Sequence, residues 1–446
     1  MPARRAVPRP VRLEFADDMF ARGHRGVGAP VVSQRVWRLT APYDADRLRR
    51  VADGLARGRL SRRVERALLP GARDAWGPSD RPPVVALEHR PIPAAEVTDW
   101  LAARQRDHID PHEGRSWRLS AVDTDDGGSV VTLCVAHAVA DGSSIKDSLV
   151  TVATDAPPLA LPEPPAGLER LRTEAADAAA QLRAIAGWAR ARVRARRSGT
   201  LPTPTTAPAL PEVTPNPAAD SWTAPLMVAE LDTAAVVETA ARHGGSTNAW
   251  FVAVAAEILD AIGHAAPGAP IPVSVPISGF QPGDVRANST RIARVEVPRD
   301  ALTARDLAVV KVACKEAYTR VGSAGPGLSP IPLPLVQMLP DAVLRRLPQP
   351  PSAACLASNN GTLPEPFVHV MGERVRSVST FGTYQSMTAD QARAVGGGLL
   401  AWHADAGARS TLTLIPAEPD RVPDRAAFTR LVVELLGSWD LDAELW

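Results

Sequence analysis

The stretch CVAHAVADGSS, Cys134 to Ser144, runs apolar residues into a histidine and, four places on, into Asp-Gly. The ring of His137 titrates near neutrality, so it can take a proton from a hydroxyl or an amine at physiological pH. Asp141 has two available roles: orienting that imidazole, as a carboxylate does in a triad, or making an ion pair that holds the loop. The spacing does not choose between them. Asp-Gly is also ordinary turn chemistry, and Gly142 can take a positive φ at little cost. A satisfied core histidine before a strand-to-helix turn has the same pattern, and His-x-x-x-Asp alone is a weak signature.

Periodicity shows which elements must position these residues. In SVVTLCVAH (Ser129–His137), alternation puts Val131, Leu133, Val135 and His137 on one face and Val130, Thr132, Cys134 and Ala136 on the other. Both faces are largely apolar, which predicts a strand interior to its sheet that delivers His137 at its end. Ser143 or Ser144 then caps a helix carrying Ile145, Leu149 and Val152. VVSQRVWRL (Val31–Leu39) reads as another strand. Asp44–Ala56 reads as a helix capped by Asp44, with Leu48, Val51 and Leu55 on one face.

After about Ala153 the composition changes. Two Pro-rich stretches, APPLALPEPP and TLPTPTTAPALPEVTPNP, bracket a segment in which Leu168, Leu171, Ala175, Ala178, Leu182, Ile185 and Val193 recur every three to four residues. An amphipathic crossover helix between two mixed regions is the expectation, with acids early and arginines late to suit the helix dipole. The mixed pattern then resumes. STNAWFVAVAAEILDAI is a helix capped at Ser246 or Thr247, RIARVEV and STLTLI are strands, and DRAAFTRLVVELLGSW is a closing helix. IPVSVPI alternates like a strand, but Pro272 and Pro276 predict an edge or irregular position. The expected division is residues 1–155 as a first lobe, 156–222 as the crossover and 223–446 as a second lobe.

Composition limits the function. The chain has 446 residues, 45% hydrophobic and 22% charged, with a net charge of +1. This is globular composition, long enough for two domains, with no global field to hold nucleic acid. Cys134, Cys314 and Cys355 are far apart among apolar or small residues; this fits a reducing cytosol and a cytoplasmic location, not a disulfide framework or a metal site. MPARRAVPRPVR is basic but leads into no apolar core, so no secretory signal is expected, and no segment is apolar for long enough to span a membrane. His108 and His112 have a metal-like spacing, but Pro111 lies between them and no third ligand is evident, so no metal is expected. The basic helix end, Arg190 to Arg197, has the chemistry to meet CoA phosphates, an acidic carrier protein or anionic lipid, but most such runs are solvated helix ends.

HAVADG (His137–Gly142) resembles the His-x-x-x-Asp-Gly signature of the CoA-dependent acyltransferase superfamily, which includes chloramphenicol acetyltransferase, condensation domains and wax ester synthase/diacylglycerol acyltransferases. Other stretches resemble the wax-ester-synthase branch in the right order. They are FADDMF (Phe15–Phe20), RSWRLSAVD (Arg115–Asp123), STNAWFVAVAAEIL, VPISGFQPGDVRANST (Val275–Thr290) and ASNNGTLPEP (Ala357–Pro366). The departures are Ala136 for the first histidine of a doubled form, Ala287 for a glycine, and no Pro-Gly-Pro after Asn360. The resemblance thus implies a reaction class and not a lipid substrate.

It implies an α/β fold of two chloramphenicol-acetyltransferase-like lobes, each a mixed sheet with flanking helices, meeting along an active-site channel. It also implies an acyltransferase moving an acyl group from a CoA or carrier-protein thioester to an alcohol or amine, in lipid or specialised metabolism. His137 would be the general base, Asp141 structural with Arg286 as a possible partner, and Gly142 the turn residue. Asn359 and Ser358 are the candidates for the oxyanion, their alternative being an Asx turn before Gly361. No bound cofactor is implied; the acyl thioester is a co-substrate. Two other readings stand beside this one: a free-standing condensation enzyme joining carrier-bound intermediates, and a non-catalytic member that binds an acyl chain or carrier protein. At most peripheral membrane contact is implied.

Overall fold

The structure is a computed structural model describing residues 10–199, 210–213, 222–323, 330–347, 353–422 and 424–446. The basic N-terminal residues 1–9 and most of the second Pro-rich stretch lie outside the described residues. No described helix is long and apolar enough to cross a membrane.

Two large sheets organise the described residues. The first has five strands in the spatial order Val375–Tyr384, Val31–Leu39, Ser129–Ala136, Trp117–Thr124 and Val84–Ile92. Every residue of Ser129–Ala136 is buried, as its two apolar faces require. It pairs antiparallel with Val31–Leu39 on one side, Val32 opposite Ala136, and with Trp117–Thr124 on the other, Trp117 opposite Val135. Helices Ala45–Ala56 and Gly142–Ala153 pack Leu48, Leu55, Ile145 and Leu149 into the core beside this sheet. Asp44 caps the first of them by accepting from the backbone N–H groups of Asp46 and Arg47.

The second sheet has seven strands in the order Arg291–Val297, Ile271–Ile277, Cys355–Thr362, Leu399–Asp405, Arg409–Pro416, Met227–Asp232 and Glu444–Leu445. Helix Thr247–Ala261, capped by Ser246, runs through its core with Trp250, Phe251, Val254 and Ile258 buried. Ile271–Ile277 is not an edge strand. It pairs along its length with Arg291–Val297, but it meets Cys355–Thr362 only at Ser274 opposite Leu356. The near-empty ladder on that side is what accommodates two prolines.

The sheets do not part cleanly at residue 223. Strand Val375–Tyr384, from the C-terminal half, lies at the edge of the first sheet and pairs with all of Val31–Leu39. Leu363, Phe367, Val370 and Met371 also sit in the first core. The exchanged strand is bonded to the second sheet by its side chains and backbone. Ser377 Oγ donates to Glu230 Oε1 (2.6 Å), Ser379 Oγ lies 2.6 Å from Thr413 Oγ1, and Thr411 Oγ1 donates to Val378 O (2.8 Å).

The crossover helix spans Gly167–Arg197, and its polarity is inverted. Glu174 and Gln181 are buried, whereas Leu168 is 72% and Leu182 57% exposed. Polar contacts fix this orientation. Glu174 Oε2 accepts from the N–H groups of Leu68 and Leu69, and Asp177 accepts from the backbone and guanidinium of Arg73.

Candidate active site

His137 is the first residue beyond its strand, tied back by its N–H to Val31 O (2.9 Å). Its half-buried ring stacks on Phe20, centroids 4.4 Å apart. Nδ1 lies 3.1 Å from Asn288 Oδ1, a residue of the segment linking Ile271–Ile277 to Arg291–Val297 in the second sheet. The orientation of the Asn288 amide follows from its surroundings. Nδ2 faces three acceptors: Asp17 Oδ1 (2.9 Å), His137 O (3.0 Å) and Ala138 O (3.2 Å). Nδ2 must therefore be the NH2 end, and Oδ1 accepts from the ring. The proton then resides on Nδ1, and Nε2 keeps its lone pair.

Asp17 anchors this arrangement. It is fully buried in helix Phe15–Gly23, and its Oδ1 also accepts from the backbone N–H of Asn288 (3.0 Å), while Oδ2 accepts from Glu14 N (3.1 Å). Burial pushes its pKa up to about 6, against the pull of those donors and of Arg62. Burial likewise lowers the pKa of His137, with Asp141 and Asn288 opposing it. A lowered histidine pKa leaves the imidazole neutral at pH 7, the form a proton acceptor requires.

Asp141 does not touch the ring. Its Oδ1 accepts from Ser144 N (2.9 Å) and so caps helix Gly142–Ala153; the cap is Asp141, not Ser143 or Ser144. Its Oδ2 accepts from Ser289 N (2.8 Å), Ser289 Oγ (3.2 Å) and Thr290 Oγ1 (3.1 Å). Burial would raise its pKa, but the donors from Ser289, Ser144 and Thr290 together outweigh it and hold the carboxylate below its usual range. Arg286 is not its partner. Arg286 pairs with Asp284 at 2.6 Å. Two buried arginines, Arg35 and Arg59, feel the charge of Asp141, and the Arg35 guanidinium donates to Gln34 O (2.9 Å) and Phe381 O (3.3 Å). Gly142 begins the helix without a positive φ; its constraint is space, since a Cβ there would stand 3.2 Å from the Arg35 guanidinium.

Asn359 forms the Asx turn to Gly361 N (2.9 Å), and its Nδ2 donates to Asn248 Oδ1 (3.1 Å). Ser358 is in register with Trp402. The strand residue whose side chain approaches the His137 loop is Asn360: its Oδ1 lies 3.9 Å from where a Gly142 Cβ would be, and its Nδ2 donates to Thr380 Oγ1 (2.7 Å). His108 and His112 face different partners, Glu113 Oε2 and Ala21 O, both at 3.0 Å.

Two cavities adjoin in the second lobe. One, of about 350 Å³, is lined by Val275, Ile277, Ser278, Arg291 and Asn359; the Ser278 hydroxyl lies 2.8 Å from Ser143 Oγ, next to Gly142. The other, of about 550 Å³, is lined by Ser246, Lys311, Cys314 and Lys315. Asn248 and Tyr318, hydrogen-bonded at 2.9 Å, line both. Lys311 and Lys315 are two of only three lysines in the chain; they lie on helix Leu307–Ser323 and share the larger cavity's lining with Ser246, Asn248 and Ala249.

Asn288, Asp17 and Phe20 were not assigned roles by the sequence. Asp17 and Phe20 are nonetheless the Asp and Phe of FADDMF, and Asn288 ends the RAN of the Val275–Thr290 stretch, so the motifs marked them without saying why.

No protein-family model matches this chain, and no curated protein sequence matches it. Solved structures do. The condensation domain from Monacolin K polyketide synthase MokA is 14% identical with a TM-score of 0.56, covering 97% of each chain. The wax ester synthase/diacylglycerol acyltransferase from Marinobacter aquaeolei VT8 is 15% identical with a TM-score of 0.57, covering 96% of this chain and 99% of that one. The first condensation domain of the calcium-dependent antibiotic synthetase is 16% identical with a TM-score of 0.56, covering 97% of each. The chain has the two-lobe α/β fold shared by condensation domains and wax ester synthases, the fold implied by the His-x-x-x-Asp-Gly resemblance.

Proposed function

We propose that this protein is an acyltransferase of the CoA-dependent superfamily, with His137 as its general base. The observation that carries the reading is the amide of Asn288, held by three acceptors so that Nδ1 of His137 is protonated and Nε2 is free. Nε2 takes the proton of an acceptor hydroxyl or amine as its oxygen or nitrogen attacks the thioester carbonyl. The C–S bond breaks, and the imidazolium returns the proton to the departing thiolate, so the histidine ends as it began. A thioester is already activated, and no acyl-enzyme is required. Asp141 shapes the loop and makes no hydrogen bond to the ring.

The donor enters through the second lobe. Lys311 and Lys315 at the mouth suit the phosphate of a pantetheine arm, and the cavities beyond lead past Asn248 and Tyr318 to Ser278 and the His137 loop. CoA and carrier proteins present the same arm, so both remain donors in this proposal. A thiol-release assay tests it, with acyl-CoAs from acetyl to palmitoyl and with loaded carrier protein, against mixed alcohols and amines, for wild type and His137→Ala. Acceptor-dependent release by wild type alone supports the proposal and identifies the donor. Equal turnover by a folded His137→Ala protein overturns the base assignment, and silence with both donors leaves a binding protein on this fold.

A further inference from the structure

The crossover helix presents its apolar side to solvent, and the side has an order of its own. Leu171-Arg172, Leu182-Arg183 and Val193-Arg194 recur at intervals of eleven residues. Eleven residues make just over three turns, so each apolar–arginine pair stands almost directly above the last, about 16 Å along the axis. The result is two parallel rows, one apolar and one basic, along a helix of 31 residues. Leu171, Leu182 and Val193 are 38%, 57% and 53% exposed, and the places between them are filled by alanine. From Ala178 to Gly199 the helix carries six arginines and no acid. Of its three acids, Glu174 and Asp177 face inward and are used there, and Glu169 in the first turn pairs with Arg172 at 3.6 Å.

We propose that this face is a docking surface for an anionic lipid bilayer, on which the crossover helix lies flat. Charge selects the occupant, since a basic row that meets no acid from Ala178 onward, beside an apolar row, complements an anionic headgroup layer with acyl chains beneath. Anchor spacing excludes a partner helix: knobs-into-holes packing needs a large side chain at each turn, and here three turns separate them. A fluid surface accepts single leucines at any spacing. The polar inward face of the helix is what holds the apolar row outward, which a helix evolved only to connect two lobes does not need. The docking surface is independent of the reaction the protein performs.

The test is co-sedimentation of the full chain with vesicles of phosphatidylcholine alone and of equal parts phosphatidylcholine and phosphatidylserine. Wild type pellets with the anionic vesicles, stays in solution with the neutral ones, and is released by high salt. Each arginine removed lowers partitioning about fivefold. The triple variants Arg183→Gln/Arg190→Gln/Arg194→Gln and Leu171→Ser/Leu182→Ser/Val193→Ser therefore stay in solution. Both keep the wild-type circular dichroism and thermal melt, because the changed side chains face solvent. Failure of wild type to pellet, or pelleting of both variants like wild type, overturns the proposal. So does wild type that ignores vesicles but self-associates through the leucine row, or that is held by an acidic carrier protein instead.

Discussion

Asn288→Ala removes the acceptor that holds the proton on Nδ1 of His137 and makes no change to the ring itself. The Nδ1–H group is left facing a site that alanine cannot satisfy, and an unpaired buried donor costs about 1–3 kcal/mol. That penalty falls on the tautomer with a free Nε2, so kcat should drop by a factor between about 5 and about 150. The Asn288 bond also supports the histidine's protonated form, so its loss moves the acid limb of the rate profile to lower pH. The assay is thiol release at saturating donor and acceptor, with KM followed in parallel. Since Asn288 acts through His137, kcat falls while KM holds. Asn288→Asp is the control. It places a carboxylate oxygen against Asp17 Oδ1, His137 O and Ala138 O, so it destabilises the fold more than alanine and recovers as the pH is lowered and a donor returns. Wild-type kcat and an unshifted acid limb in Asn288→Ala would refute the reasoning.

Wild-type kcat/KM should be flat near neutrality, with an acid limb whose midpoint lies below 6.5, because burial lowers the histidine pKa; a midpoint above 6.5 is the contrary result. Asp141→Ala loses a helix cap, about 1 kcal/mol, and orphans the Ser289 N–H, about 1–3 kcal/mol, so urea unfolding should show a loss of roughly 2–4 kcal/mol. The sign with pH follows from the depressed pKa: Asp141's contribution is present above about 3.8 and is lost as the pH falls through its lower folded value. A variant that unfolds like wild type would show that the cap and its three second-lobe bonds carry no stability.

What the sequence disclosed and what it withheld divide along physical lines. The strand Ser129–Ala136, the helix caps at Asp44 and Ser246 and the position of His137 depend on local periodicity and on residues within a few places of one another. Those were legible. The partner of the ring was not, because Asn288 lies 151 residues from His137 and nothing in RANST distinguishes its amide from a surface asparagine. Arg286, two places before, was the more conspicuous residue and proved to be Asp284's partner. Ser358, Asn359 and Asn360 are adjacent polar residues, and nothing in SNNG tells which of them approaches the His137 loop. The crossover helix makes the same point. Its period is plain in the sequence, yet a stripe shows only that one side is apolar, and long-range polar contacts to Leu68, Leu69 and Arg73 turned that side outward.

The exchanged strand has a consequence for how the protein is made. Val31–Leu39 is buried at every residue but Val31, and its outer ladder is completed only by Val375–Tyr384. That strand is encoded some 240 residues after Ser129–Ala136, the last of the other four strands in the sheet. At roughly 5–20 residues per second a ribosome takes about 12–48 s to cover the interval. Throughout it, four strands of the first sheet are available with an unpaired backbone edge along Val31–Leu39, the geometry most open to pairing with another nascent chain. Slowing translation ahead of residue 375 should therefore raise aggregation, and supplying the Val375–Tyr384 segment as a peptide during synthesis should lower it. The last quarter of the message determines whether the product of the first third stays in solution.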